Sequence, residues 1–220
     1  TLFHSWAIRL LEVNNEAVVY RASESRSEWV RFAPWAKVCV PASCNREVVL
    51  ESHDGGRRTV SLDDVAREVV EYDDVRDLNQ NVLEPGKFHV VYPDPQMRGC
   101  QAVYEESPKR YELEFKPSDP VKHWWVAWVL DRVENGPYFF TSLILDEVGD
   151  LISQDASKDE FHSYEKVLLF RDAFVDARKF YLSIYMAGHS EEDIHEKLRR
   201  KVRWRITLNG TANPTRASQV

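Results

Sequence analysis

The stretch Lys122–Asp131, KHWWVAWVLD, decides the fold, because it holds three of the chain's seven tryptophans and its neighbours must cover them. Read as extended chain, it puts Trp124, Val126 and Trp128 on one face and Trp125, Ala127 and Val129 on the other. A strand apolar on both faces belongs at the centre of a sheet, packed above and below. One tryptophan could instead line a groove that stacks on a base, a sugar or a methylated cation. His123, at the edge of the stretch, reads as a surface residue.

Working outward, the same reading gives strands at residues 87–92, 100–105, 110–116 and 138–148, joined by PDPQMRG, SPK, PSDP and ENGP. Short connections rich in Pro and Gly favour a meander of antiparallel neighbours. Toward the amino end, WAIRLLEV, EAVVYRA, EWVRFA, AKVCV, REVVLES and RRTVSL also read as strands. Asp54–Gly55–Gly56 supplies the positive φ of a tight hairpin between residues 47 and 61.

Helices are expected in three places. Ser61 can cap a first turn carrying Asp63 and Asp64, followed by an apolar stripe of Leu62, Val65, Ala66, Val69 and Val70. Residues 163–186 show Val167, Phe170, Phe174, Ala177, Tyr181 and Ile184 at helical spacing, although KFYLSIYMAG could equally be a strand. Ser190 with Asp193 forms an acidic capping box for a helix reaching about Lys201. Val202, Trp204 and Ile206 then alternate as a final strand. The expected fold is α+β, strand-rich and mostly antiparallel, with about three helices packed on one side. The units are a strand-rich part at 1–84 ending in an acidic helix, a meander with the later helices and final strand at 85–210, and a tail at 211–220, the first two forming one compact body.

With 220 residues, 43% of them hydrophobic, the chain can bury a sizeable core, and mixed charges at 30% exclude a disordered composition. Its net charge of −7 is concentrated between Ser61 and Glu84, where eight carboxylates meet two arginines. No apolar run is long enough for a membrane helix, and the amino end does not resemble a targeting segment. An initial Thr suggests a processed product or an excised domain. The odd cysteine count, Cys39, Cys44 and Cys100, favours a reducing, intracellular setting over a disulfide framework.

Two stretches suggest chemistry. In KRYELEFKPSDP, Glu112, Glu114 and Lys116 alternate with Leu113 and Phe115, so they share one face of an extended chain. This ELEFK is similar to the ExExK pattern of the triphosphate tunnel metalloenzymes. That resemblance implies a β-barrel in which Glu112 and Glu114 hold a divalent metal and Lys116 meets phosphate. VRWRITL is similar to the Arg-x-Arg strand of such tunnels, while Asp146 and Glu147, adjacent in LILDEVG, would point to opposite faces. Pro93–Asp94 followed by EFK also resembles the PD-(D/E)xK nucleases, which implies Asp94 and Glu114 as magnesium ligands and Lys116 as the group activating water. The plainer reading is a solvated strand face with Lys116 offsetting the two glutamates.

The second stretch is basic: Arg199, Arg200, Lys201, Arg203 and Arg205 surround Trp204, with Lys197 just before them. It suits an acidic protein or nucleic-acid surface, although charges near a helix C-terminus also complement the dipole. No Ser-His-Asp order, glycine-rich phosphate loop, HExxH or EF-hand pattern is present. The leading expectation is a non-enzymatic interaction domain that binds a protein or nucleic-acid partner through this surface, without a cofactor. The alternative is a phosphohydrolase dependent on magnesium or manganese and built on the ExExK stretch.

Overall fold

The tryptophan stretch is a helix. A computed structural model describes residues 2–24, 27–108 and 113–205, and in it Trp124–Asn135 is an α-helix buried on every side from Trp124 to Val133. A helix apolar all round lies inside a protein, and unbroken apolar runs carry no period to separate helix from strand. Pro120 opens the turn that leads into it, and Gly136, at φ 76°, ends it. His123 is buried rather than on the surface.

The elements in order are α1 (Leu2–Asn14), β1 (Ala17–Arg21), β2 (Ala36–Pro41), β3 (Glu47–Glu51), β4 (Arg57–Ser61), β5 (Glu68–Tyr72), α2 (Val75–Asp77), β6 (Phe88–Val91), α3 (Cys100–Glu106), α4 (Trp124–Asn135), β7 (Thr141–Leu145), α5 (Ser163–Ala177), β8 (Leu182–Met186) and α6 (Glu196–Arg199). Six strands form one sheet in the order β5-β2-β6-β1-β7-β8, every pair parallel. The expected antiparallel α+β fold is therefore corrected to α/β, with six helices among the described residues. The physical reason lies in the strands: AVVY, VCV, HVV and LIL are buried on both faces, as parallel strands between two layers must be.

One face of the sheet presents Val19, Cys39, Val91, Leu143 and Leu145 to α3, α4 and α5. The other presents Val18, Tyr20, Val38, Val90 and Ile144 to α1 and a 3₁₀ turn at Glu28–Phe32. Trp124, Trp125 and Trp128 fill the centre of the first layer, so truncating any one to Ala should cost about 3–5 kcal/mol.

Local readings divide. The hairpin β3–β4 forms as expected and is the antiparallel pair among the described strands. Ser61 does cap, accepting from the Asp63 amide, but only for one 3₁₀ turn. Val69 and Val70, β-branched, then pair in parallel with Val38 and Cys39 as β5 instead of continuing a helix. WAIRLLEV falls in α1, which buries Ala7 and Leu10 three apart. EWVRFA is mostly the 3₁₀ turn, and residues 100–105 belong to α3, with Cys100, Val103 and Tyr104 buried at helical spacing. The long helix stops at Ala177, and its far half is β8. The capping box of Ser190 and Asp193 forms, but α6 is a single turn. Residues 202–205 carry no regular structure, and the rest of the expected final strand lies outside the described residues.

Candidate active site at the carboxyl edge of the sheet

In an open parallel sheet, ligand sites lie beyond the carboxyl ends of the strands, where loops on rigid supports converge. At that edge β7, buried from Thr141 to Leu145, delivers Asp146 and Glu147 half-exposed. Asp146 turns back so that its Oδ1 accepts the Glu147 amide at 3.0 Å. Glu147 sits in the left-handed region at φ 48°, uncommon for a residue with a Cβ. Arg21, at the end of β1, donates from Nη1 to the carbonyls of Asp146 and Glu147 at 3.1 and 3.4 Å. The turn is thereby fastened to the sheet's central strand.

β8 runs beside β7 with Leu145 opposite Met186. The pairing continues past both strands, since Ala187 donates to Leu145 and Val148 to Ala187, each at 2.9 Å. Farther out, Gln154 donates to Asp193 and His195 to Ile152, both at 3.0 Å. Gly149 permits close approach of the two segments, because a Cβ there would lie 3.2 Å from Asp193 Cβ. Between them is a cleft of about 280 Å³ lined by Glu147, Asp150, Asp155, His189, Glu192 and Asp193, among others. Among the described residues no three His, Cys, Asp or Glu side chains converge on a point fit for a metal. One or two carboxylates, completed by water and phosphate oxygens, are the usual protein share of a magnesium site.

The residues expected from sequence are placed otherwise. Asp94 lies buried beyond β6, its carboxylate accepting from Ser43 Oγ, the Gln96 and Arg98 amides, and Arg98 Nε at 2.6 Å. Glu114 is exposed and pairs with Lys116 Nζ at 3.7 Å, and Glu112 lies outside the described residues. Leu113 and Phe115 are buried, so the alternation holds, but in irregular chain and beside an open sheet. In the basic stretch, Arg199 donates to the Glu191 carbonyl at 3.1 Å and Arg205 to its carboxylate at 2.9 Å. Arg200 pairs with Glu196 at 3.0 Å, and Lys201, Arg203 and Trp204 face outward.

A second polar cluster lies in the core. Lys166 Nζ donates to Asp119 Oδ2 at 2.9 Å and to the Glu114 carbonyl at 3.1 Å, and lies 4.4 Å from the Phe115 ring centroid. His123 Nδ1 is 4.0 Å from Asp119 Oδ1, and its Nε2 is 3.5 Å from Ser163 Oγ. Burial, with the Lys166 charge nearby, pushes the imidazole pKa down to about 4. With Asp119 held by Lys166, the arrangement is a buried ion pair rather than a nucleophile relay.

Sequence reasoning passed over Asp146 and Glu147 because adjacent strand residues face opposite ways. The signal available was their position, directly after the apolar run LIL. Compared with known proteins, the chain matches no family model, no curated protein and no solved structure.

Proposed function

We propose that the protein is a magnesium-dependent phosphohydrolase acting on nucleoside triphosphates, with Asp146 and Glu147 as its acidic pair. The observation that carries the reading is a fully buried interior strand, one in from the edge strand β8, ending in Asp-Glu at the carboxyl edge of an open parallel sheet. That is the setting in which phosphoryl-transfer proteins present a metal-holding Asp and a residue that orients water. Magnesium, when bound, would offset charge on the phosphate oxygens. Asp146 would help to hold it, and Glu147 would orient and deprotonate the attacking water. The water oxygen bonds to the terminal phosphorus as the bond to the bridging oxygen breaks. The nucleoside diphosphate departs with that electron pair, and the proton passes to the Glu147 carboxylate.

The site is open on one side. Among the described residues β8 is an edge strand, with Ser183 exposed and Ile184, Tyr185 and Met186 half-buried, so a further strand or subunit that grips phosphate has room beside it. Three free cysteines accord with the intracellular setting in which such nucleotides are found. The test is phosphate release from ATP and GTP by the full-length protein with and without magnesium. Glu147→Gln should lower turnover by at least about 100-fold while nucleotide still binds. Magnesium-independent release, or turnover untouched by Glu147→Gln and Asp146→Asn, would rule the reading out.

A second reading keeps one observation in its favour: Trp204 is 85% exposed, with Arg203 and Lys201 outward beside it. This supports docking onto an acidic protein or nucleic-acid partner. Paired Arg-to-Glu changes at Arg200 and Arg203 that leave partner capture intact would eliminate it.

A further inference from the structure

We infer that His189 contacts the terminal phosphate of the nucleotide and so makes the site discriminate triphosphate from diphosphate; the inference rests on the phosphohydrolase reading. Because β8 is parallel to β7 and in register with it, the residues after Met186 emerge on the same edge as Asp146 and Glu147. The backbone bonds between Ala187, Leu145 and Val148 hold the two tips together for a further residue pair. Gly188 follows, then His189, which lines the cleft that Glu147 also lines.

The lining has five carboxylates, and among the described residues His189 is its only side chain able to carry positive charge. A phosphate entering there meets repulsion on most sides. His189 is exposed, and no hydrogen bond or ion pair engages its ring among the described residues. Its N–H can therefore turn to the ligand without breaking a contact of the fold. Under the proposed function the terminal phosphate lies closest to the water that Glu147 orients, and so is the part of the substrate nearest the cleft that Glu147 and His189 share. A diphosphate lacks that group and should not sense the residue.

The experiment compares binding of ADP and of the β,γ-imido analogue of ATP, with magnesium, by the full-length protein and its His189→Ala and His189→Gln variants. A hydrogen bond to a charged group predicts analogue binding weaker by roughly 10- to 100-fold in His189→Ala, with ADP binding unchanged. His189→Gln, still a donor, should recover most of the loss. Turnover should fall in step with analogue affinity. Equal weakening of both nucleotides, or no change in either, overturns the assignment while leaving Glu147 to be judged on its own variant. If the parent protein binds neither nucleotide, the phosphohydrolase reading itself fails, and this inference with it.

Discussion

Lys166 Nζ and Asp119 Oδ2 lie 2.9 Å apart with both side chains almost wholly excluded from solvent. Burial lowers the Lys166 pKa, and the neighbouring Asp119 works against that fall. Removing one partner strands the other's charge in the core. Lys166→Met should therefore destabilise the fold by about 3–5 kcal/mol, and Asp119→Asn added to it should recover part of that loss. Urea unfolding of the two single variants and the double variant measures the coupling. Additive losses would show that the pair is not coupled.

Acid should weaken the fold before the carboxylates titrate. His89 is buried with Nδ1 facing the Val18 carbonyl at 3.3 Å and Nε2 accepting the Glu84 amide at 3.1 Å. Burial, then the Lys37 charge, brings its pKa from 6.5 to about 4, and His123 is lowered similarly. Both folded-state values lie below the unfolded ones, so the unfolded chain takes up protons first. The stabilisation is complete above pH 6.5 and is lost as pH falls toward about 4. Unfolding free energies that stay flat from pH 6.5 to about 5 would contradict the burial of both rings.

Arg21→Ala removes two hydrogen bonds, both donated by Nη1, that tie the Asp146–Glu147 turn to β1. Each such bond is worth about 0.5–1.5 kcal/mol, so the fold should survive. Under the proposed function, turnover should drop by roughly tenfold or more, because the acidic pair loses its support. An unchanged kcat would mean that the turn holds its shape without Arg21.

Trp204→Ala should change stability by less than about 0.5 kcal/mol, since the ring is 85% exposed. A larger loss by thermal unfolding would place the ring against the fold.

How much was legible in the sequence depends on the element. Asp54–Gly55–Gly56, Ser61 and the Ser190–Asp193 pair each specify local geometry through their own atoms, and all three form. Whether strands pair parallel or antiparallel is decided by distant partners. Val18 and Val19, for example, have their neighbours at Phe88, His89, Ser142 and Leu143. The tryptophan run misleads because burial on all sides removes the period that separates helix from strand. Asp146 and Glu147 were visible as residues but not as a site. Their meaning depends on β7 ending at Leu145 and on β1 and β8 flanking it, which adjacency in the sequence does not disclose.

The place of β1 in the strand order also bears on how the chain acquires its structure as it is synthesised. Residues 17–21 are made before both of their flanking strands, residues 88–91 and 141–145. Every residue between β1 and the end of β7 must therefore exist before the centre of the sheet can close, and loop closure over such separations is slow. Until β7 is made, AVVY lacks one of its two neighbouring strands. Fragments ending before residue 141 should therefore aggregate rather than fold.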